Sequence, residues 1–267
     1  MLQPQDLILT ILGVHLRAPG ASVWSGGLVV VLSEFGFSEE AVRAALARVV
    51  LRGLLTRERR GRRVFYSLTA SARTLLDEGD DRIYSFGRRP TSSTAWTMLW
   101  HRIPQDRGTE RSRLASGLRF RGFGSPSDSV WIACTDQSRA AIALIEDLEI
   151  GEFVTMVVGH VPEGRSAALV ESAAWDFPAL ERIYVDFIER FGRLDLTDTV
   201  RDPSESFLVH SRATHAFRGF MALDPELPSL DRISRLRRDA VAVFDDVNHS
   251  LIEPARVHFE RSANPPA

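Results

Sequence analysis

The sequence contains no lysine, so all 33 of its permanent side-chain cations are arginines, which keep their charge at any physiological pH and present a rigid planar fork of donors. Cysteine occurs once, at Cys134, which excludes an internal disulfide and a thiolate metal cage within one chain. Nothing near Cys134 in the sequence would depress its pKa, so it is not read as a nucleophile. Apolar runs are short: the longest, around Leu28 to Leu32, falls far below the roughly 20 residues that a helix needs to cross a bilayer. The first residues lack the charged start, apolar run and small-residue cleavage pattern of a secretory signal. The expectation is a cytoplasmic chain with no membrane role. G-x-S-x-G, P-loop, dinucleotide and H-E-x-x-H signatures are all missing, so neither a cofactor nor an enzyme is expected.

What is present is a folded composition with segregated charge. Hydrophobic residues make up 44% and charged residues 25% of the 267 positions, which suits a globular chain larger than one core and predicts two or three domains. Residues 1–93 hold 13 Arg against 9 Asp and Glu, a net of +4, whereas the remainder holds 20 against 26, a net of −6. A basic end on an acidic body is expected when one module touches nucleic acid and another does something else.

The segment SEEAVRAALARVVLRGLLTRERRGRRVFYSLT, residues 38–69, carries most of the information. On a helix, Val42, Ala45, Leu46, Val49 and Val50 share one side, while Ala44, Ala47, Arg48 and Leu51 face away between Arg43 and Arg52. Ser38 is placed to cap the helix, and Glu39 and Glu40 complement its positive end. The outward face combines small residues, which let a backbone approach a groove floor, with guanidinium groups that fork onto guanine or phosphate; Arg48 is the candidate for base contact. Beyond Gly53, Leu54–Glu58 and Val64–Leu68 read as a hairpin in which Val64, Tyr66 and Leu68 share a face. Arg59, Arg60, Arg62 and Arg63 crowd its tip around Gly61, and a polyanion would relieve their mutual repulsion with release of counterions. A helix of this pattern followed at once by a basic hairpin is the arrangement of a winged helix-turn-helix, and the partner it points to is double-stranded DNA.

Elsewhere, Asp6–Arg17 and Trp24–Phe35 read as supporting helices, with Gly36 closing the second, and Ala70–Phe86 reads as a fourth. Residues 87–94, GRRPTSST, have linker composition. Strand and helix then alternate from Ala95 to Val161 in a pattern that fits a ferredoxin-like βαββαβ unit. From Trp175 helices return, with Leu180, Ile183, Tyr184, Phe187, Ile188 and Phe191 at helical spacing behind an Asp176 cap, then helices near Ser204–Leu223 and Leu230–Phe259, the latter interrupted or kinked at Pro254. The expected class is therefore α+β: a winged helix-turn-helix over 1–90, a ferredoxin-like middle domain over 95–172 and a helical C-terminal domain over 173–267.

Five stretches in this order resemble the PaaX family, bacterial repressors of phenylacetate catabolism: VRAALARV at 42–49, GRRVFYSLT at 61–69, GFGSPSDSVWIA at 122–133, WDFPALERIYVDFIERF at 175–191 and HAFRGFMALDPELP at 215–228. The likeness spans nearly the whole chain. It implies a homodimer on a palindromic operator, released by an acyl- or aryl-coenzyme A thioester or an aromatic acid, with Arg43, Arg48, Arg62 and Arg63 in the basic helix and wing. Trp175, His215 and Arg218 match the family's C-terminal motifs and are the candidates for contact with the effector. Beyond Pro228 the chain reads SLDRISRLRRDAV where the family usually continues with a Leu-Pro pair and a Trp-Gly segment, so the effector's identity does not carry over.

Read from chemistry alone, His215 and Arg218 would share a helix flank bonded to a neighbouring element, Trp131 and Trp175 would be core aromatics, and His210 a satisfied buried polar group. Two other functions compete. The middle domain also resembles the small nucleases of CRISPR spacer acquisition, whose first strand ends in a metal-binding aspartate, or it could belong to an acyl-thioester-processing enzyme; here the strand end reads Trp100, His101, Arg102, Ile103, Pro104, without that carboxylate. The other is a DNA-binding module with no effector.

Overall fold

The computed structural model describes residues 3–88, 95–161, 165–227 and 231–263. Helix and antiparallel sheet are mixed, as the α+β class requires, and the chain divides into two compact units: residues 1–84, 187–217 and 242–267 in the first, and 85–186 and 218–241 in the second.

The first unit runs α1 (Pro4–His15), β1 (Val23–Trp24), α2 (Ser25–Ser33), α3 (Glu39–Leu51), β2 (Leu55–Arg60), β3 (Arg63–Leu68) and α4 (Ala70–Ser85). Helix α3 starts where the sequence predicts, because the Ser38 hydroxyl accepts the Ala41 N–H at 3.2 Å and Glu39 and Glu40 fill the first turn. The turn before it depends on Gly36, whose φ of 87° is a conformation that a side chain would strain. Val42, Ala45, Leu46 and Val49 are buried against Leu7, Ile8, Ile11 and Leu12 of α1 and Leu28, Val31 and Leu32 of α2. The three strands form one antiparallel sheet in the order β1-β3-β2, and Arg60 faces Arg63 across the final rung. Gly61 makes the tight reversal with φ +62°.

Two details differ from expectation. Arg59, Arg60 and Arg63 are ladder residues rather than loop residues: alternation along β2 puts Arg59 and Arg60 on opposite faces, while Arg60 and Arg63 stay cross-strand neighbours. And β1 was not expected, since two residues are too few to show a period.

The core of this unit also draws on late residues. Phe207 of α10 (Pro203–Phe220) and Ala255, Phe259 and Ala263 of α11 (Asp231–Ala263) join the same cluster as Leu7, Val42 and Leu46. His15 stacks on Phe259 with ring centroids 4.8 Å apart, and any side chain added at Gly27 would run into the carbonyl of Ala263. Helix α11 runs on through Pro254 rather than being interrupted there, at the cost of one backbone hydrogen bond.

The second unit contains β4 (Trp96–His101), α5 (Gly108–Phe120), β5 (Gly124–Ser127), β6 (Val130–Ala133), α6 (Ser138–Asp147), β7 (Val154–Gly159) and α7 (Arg165–Ala174). Its strands pair antiparallel in the order β5-β6-β4-β7, with Leu99 opposite Trp131 on one side and Met156 on the other. Leu114 and Leu118 of α5 and Ala141 and Ile145 of α6 pack with Leu99, Trp131 and Ala133, while Ile132 and Cys134 join a second cluster with Trp175 and Leu227. Two further helices are α8 (Phe177–Phe191), capped by Asp176 as expected, and the short α9 (Leu196–Thr199). Among the described residues no helix is long and apolar enough to cross a membrane.

Candidate nucleic-acid interface

Burial of one side of α3 leaves its other side open: Arg43, Ala44, Ala47, Arg48, Leu51 and Arg52 are all exposed. Arg43 is clamped by Glu39 one turn back, at 2.6 Å, within a pair so exposed that it contributes little. The Arg48 Nε donates to the Gln5 side chain at 2.9 Å, which fixes the direction of the guanidinium and leaves its charge uncompensated.

The hairpin holds its arginines by other means. Arg60 lies over the Phe65 ring at 4.9 Å, donates to Ser22 Oγ at 3.1 Å and pairs with Glu58 at 2.6 Å, and this contact holds the Glu58 carboxyl below the ordinary carboxylate range. Arg63 lies over the Trp24 ring at 5.2 Å. The two aromatic faces stiffen side chains that would otherwise sample many rotamers, without neutralising them. The Arg59 Nε donates to the Gly61 carbonyl, and Arg62 projects from the tip with no partner among the described residues. Arg57, exposed on β2, belongs to the same surface; it was passed over in the sequence because it lies outside the crowded tip, though the run TRERR holds it.

Across residues 39–63 Arg43 and Arg60 are the arginines with carboxylate partners among the described residues, and both partners, Glu39 and Glu58, lie within that stretch. None of these arginines is paired with a carboxylate from the acidic remainder of the chain, among the described residues. A cationic surface held by aromatics, an amide and local carbonyls can accept phosphates without first breaking buried ion pairs.

Of the C-terminal candidates, His215 and Arg218 lie three residues apart on α10, and Trp175 lies just before α8. His215 belongs to the first unit and accepts or donates through Nδ1 to Thr10 Oγ1 at 3.2 Å, whereas Arg218 and Trp175 belong to the second. Trp175 is buried with its ring against Gly124, and its indole N–H has no partner among the described residues. A shallow groove of about 320 Å³ runs along Ser172–Pro178 beside it. Trp131 is also buried. His210 is buried, with Nε2 3.0 Å from Asn248 Oδ1, and burial pushes its pKa down.

At the end of β4, His101 is buried, and burial together with the nearby Arg111 charge lowers its pKa. Among the described residues no group of three or more His, Cys, Asp and Glu is placed to hold a metal ion. Cys134 is buried with its thiol pKa driven upward, first by burial and then by Glu171 and Asp224.

The order of parts, basic amino-terminal helices and hairpin, then a four-stranded α+β unit, then a helical region, defines a modular regulator. Residues 3–72 match the family model of the PaaX-like proteins, residues 89–170 that of the PaaX central Cas2-like domain, and residues 175–261 that of the PaaX-like C-terminal domain. The chain belongs to the PaaX family. It is 27% identical over 233 residues to the transcriptional repressor PaaX of Escherichia coli strain K12, covering 84% of this chain and 72% of the relative. A solved structure of an uncharacterized Mycobacterium tuberculosis protein aligns over 94% of this chain and 97% of its own length, with 20% identity and a TM-score of 0.49.

Proposed function

We propose that this chain is a cytoplasmic DNA-binding transcriptional repressor, not an enzyme, whose amino-terminal winged helix-turn-helix carries α3 into the major groove and sets the hairpin of β2 and β3 on flanking phosphates. The observation that carries this reading is the open arginine surface of residues 43–63, whose carboxylate partners among the described residues, Glu39 and Glu58, come from the same helix and hairpin. The antiparallel strand order β5-β6-β4-β7, with α5 and α6 on one face, supports a ferredoxin-like middle domain serving as a dimerisation and coupling platform. A homodimer would place two copies of α3 in successive major grooves of a palindromic operator, about 34 Å apart or a multiple of it.

Release by a small effector follows the family's pattern: an acyl- or aryl-coenzyme A thioester or an aromatic acid, with Trp175, His215 and Arg218 as candidate contacts. The shared core supplies a route, since Phe207, Ala255 and Phe259 pack directly on the helices that support α3. A coupling of roughly 1–3 kcal/mol between effector and DNA would change occupancy severalfold to a hundredfold.

Selection of duplexes from genomic fragments, repeated with coenzyme A thioesters and aromatic acids, tests the whole reading. A repressor enriches a symmetric site with a large specific over non-specific ratio, and its effector lowers that ratio. Weak, sequence-indifferent binding would leave a module without an operator. Cleavage of labelled DNA with magnesium or manganese would overturn the reading in favour of a nuclease.

A further inference from the structure

Leu51, the last residue of α3, is 86% exposed, while the next most exposed large hydrophobic side chain among the described residues, Leu169, is 59% exposed. The fold makes no use of it: the buried side of α3 is complete with Val42, Ala45, Leu46 and Val49. Nor does the following chain shield it, because Gly53, with φ +70°, turns the backbone away into open surroundings.

The placement is specific. Ala44, Ala47 and Leu51 follow one another at three and four residues, so they form a single apolar ridge along the outward side of the helix, with Arg43, Arg48 and Arg52 beside it. The flanking arginines decide what covers the ridge. A second protein copy would have to desolvate three guanidinium groups to reach it, whereas a nucleic-acid duplex would pair them with phosphates or guanine edges as the ridge descends. On the floor of a major groove a leucine neither donates nor accepts a hydrogen bond, and the one apolar group there is the C5 methyl of thymine.

We propose that Leu51 is a specificity-determining residue that reads a thymine methyl group in the major groove; the inference rests on the assignment of α3 as the recognition helix. Ala47 lets the backbone come close enough for the contact.

The test uses the full-length protein and the duplex it enriches from a randomised pool, in which each thymine is replaced in turn by deoxyuridine, a change that removes one methyl group and keeps every hydrogen-bonding edge. At one thymine per half-site, uracil should weaken binding about fourfold, the worth of one buried methyl. The Leu51→Ala variant should lose that response at the same position while its melting temperature stays that of the parent. The idea is overturned if uracil is silent at every position, or if parent and variant respond alike. A change in oligomeric state of Leu51→Ala without any uracil effect would overturn it too, by assigning the ridge to a protein contact. Operator preference without a uracil response sinks only the thymine contact, whereas failure to enrich any duplex sinks the recognition-helix reading along with it.

Discussion

Arg237 closes both prongs of its guanidinium on the Asp224 carboxylate, Nε to Oδ2 and Nη2 to Oδ1, each at 2.7 Å and both side chains buried. Tyr184 adds a third donor to Oδ2 at 2.5 Å, the Glu226 N–H a fourth to Oδ1 at 2.7 Å, and the cluster ties α8, the segment after α10 and α11 together within the second unit. Tyr184 is correspondingly held protonated by burial and by the adjacent carboxylate.

Removing one partner strands the other. Asp224→Ala should cost about 3–5 kcal/mol in denaturant unfolding, because Arg237 stays charged in a desolvated site. Replacing the pair together, Asp224→Leu with Arg237→Met, should cost clearly less than the single change. Equal losses would mean that the ion pair is not what the site depends on.

Glu58 pairs with Arg60 on the hairpin proposed to face DNA, so Glu58→Gln should strengthen duplex binding. The slope of log affinity against log salt should steepen by about 0.9, the contribution of one added phosphate contact. Fluorescence titration across a salt series measures it, and an unchanged slope would show Arg60 turned away from the duplex.

Arg62 and Arg48 should fail in different ways. Arg62→Ala, at the hairpin tip, is expected to weaken all duplexes alike and reduce the salt slope by about one unit, whereas Arg48→Ala should relax preference at one base pair by about 1–3 kcal/mol. Binding measured on the selected site and on single-base variants separates the two, and the reverse pattern would exchange their roles.

His15 and His210 give the first unit an acid sensitivity. His15 is lowered to about 3, chiefly by burial and then by His210 and Arg256, and His210 is lowered by burial; each keeps one buried ring nitrogen without a partner among the described residues. In the unfolded chain both rings take up protons near pH 6.5, while the folded forms resist, so stability is complete above about pH 6.5 and falls as pH is lowered from there toward the folded pKa values. His15→Gln should flatten this decline by about 1.4 kcal/mol per pH unit in the window between 6 and 4, read from unfolding curves. A variant with the parent's slope would place the proton uptake elsewhere.

Much of the local structure around α3 and the hairpin was legible because it depends on near neighbours. Ser38, the spacing of Val42 to Val49 and the glycines at 36, 53 and 61 act over a few residues, and each appears in the structure where the sequence puts it. The antiparallel strands of the middle unit were readable for the same reason, apolar alternation bounded by turns. What the sequence did not disclose is partnership. The helical period around Phe207 and Phe259 says which side of α10 and α11 is apolar, but not that this side completes a core begun at Leu7. Nor does any period reveal that Trp24 and Phe65 brace Arg63 and Arg60, since that depends on strand register. Helix α7 passed unnoticed in the sequence.

The packing of Phe259 and Ala263 beneath α1 and α2 sets a schedule for biosynthesis. A ribosome that has delivered the first hundred residues has made α3 and the hairpin of β2 and β3, yet the apolar floor under them is still unsealed. Until the late helices arrive to pack there, the nascent head has a bare apolar underside, so its core cannot close on amino-terminal residues alone.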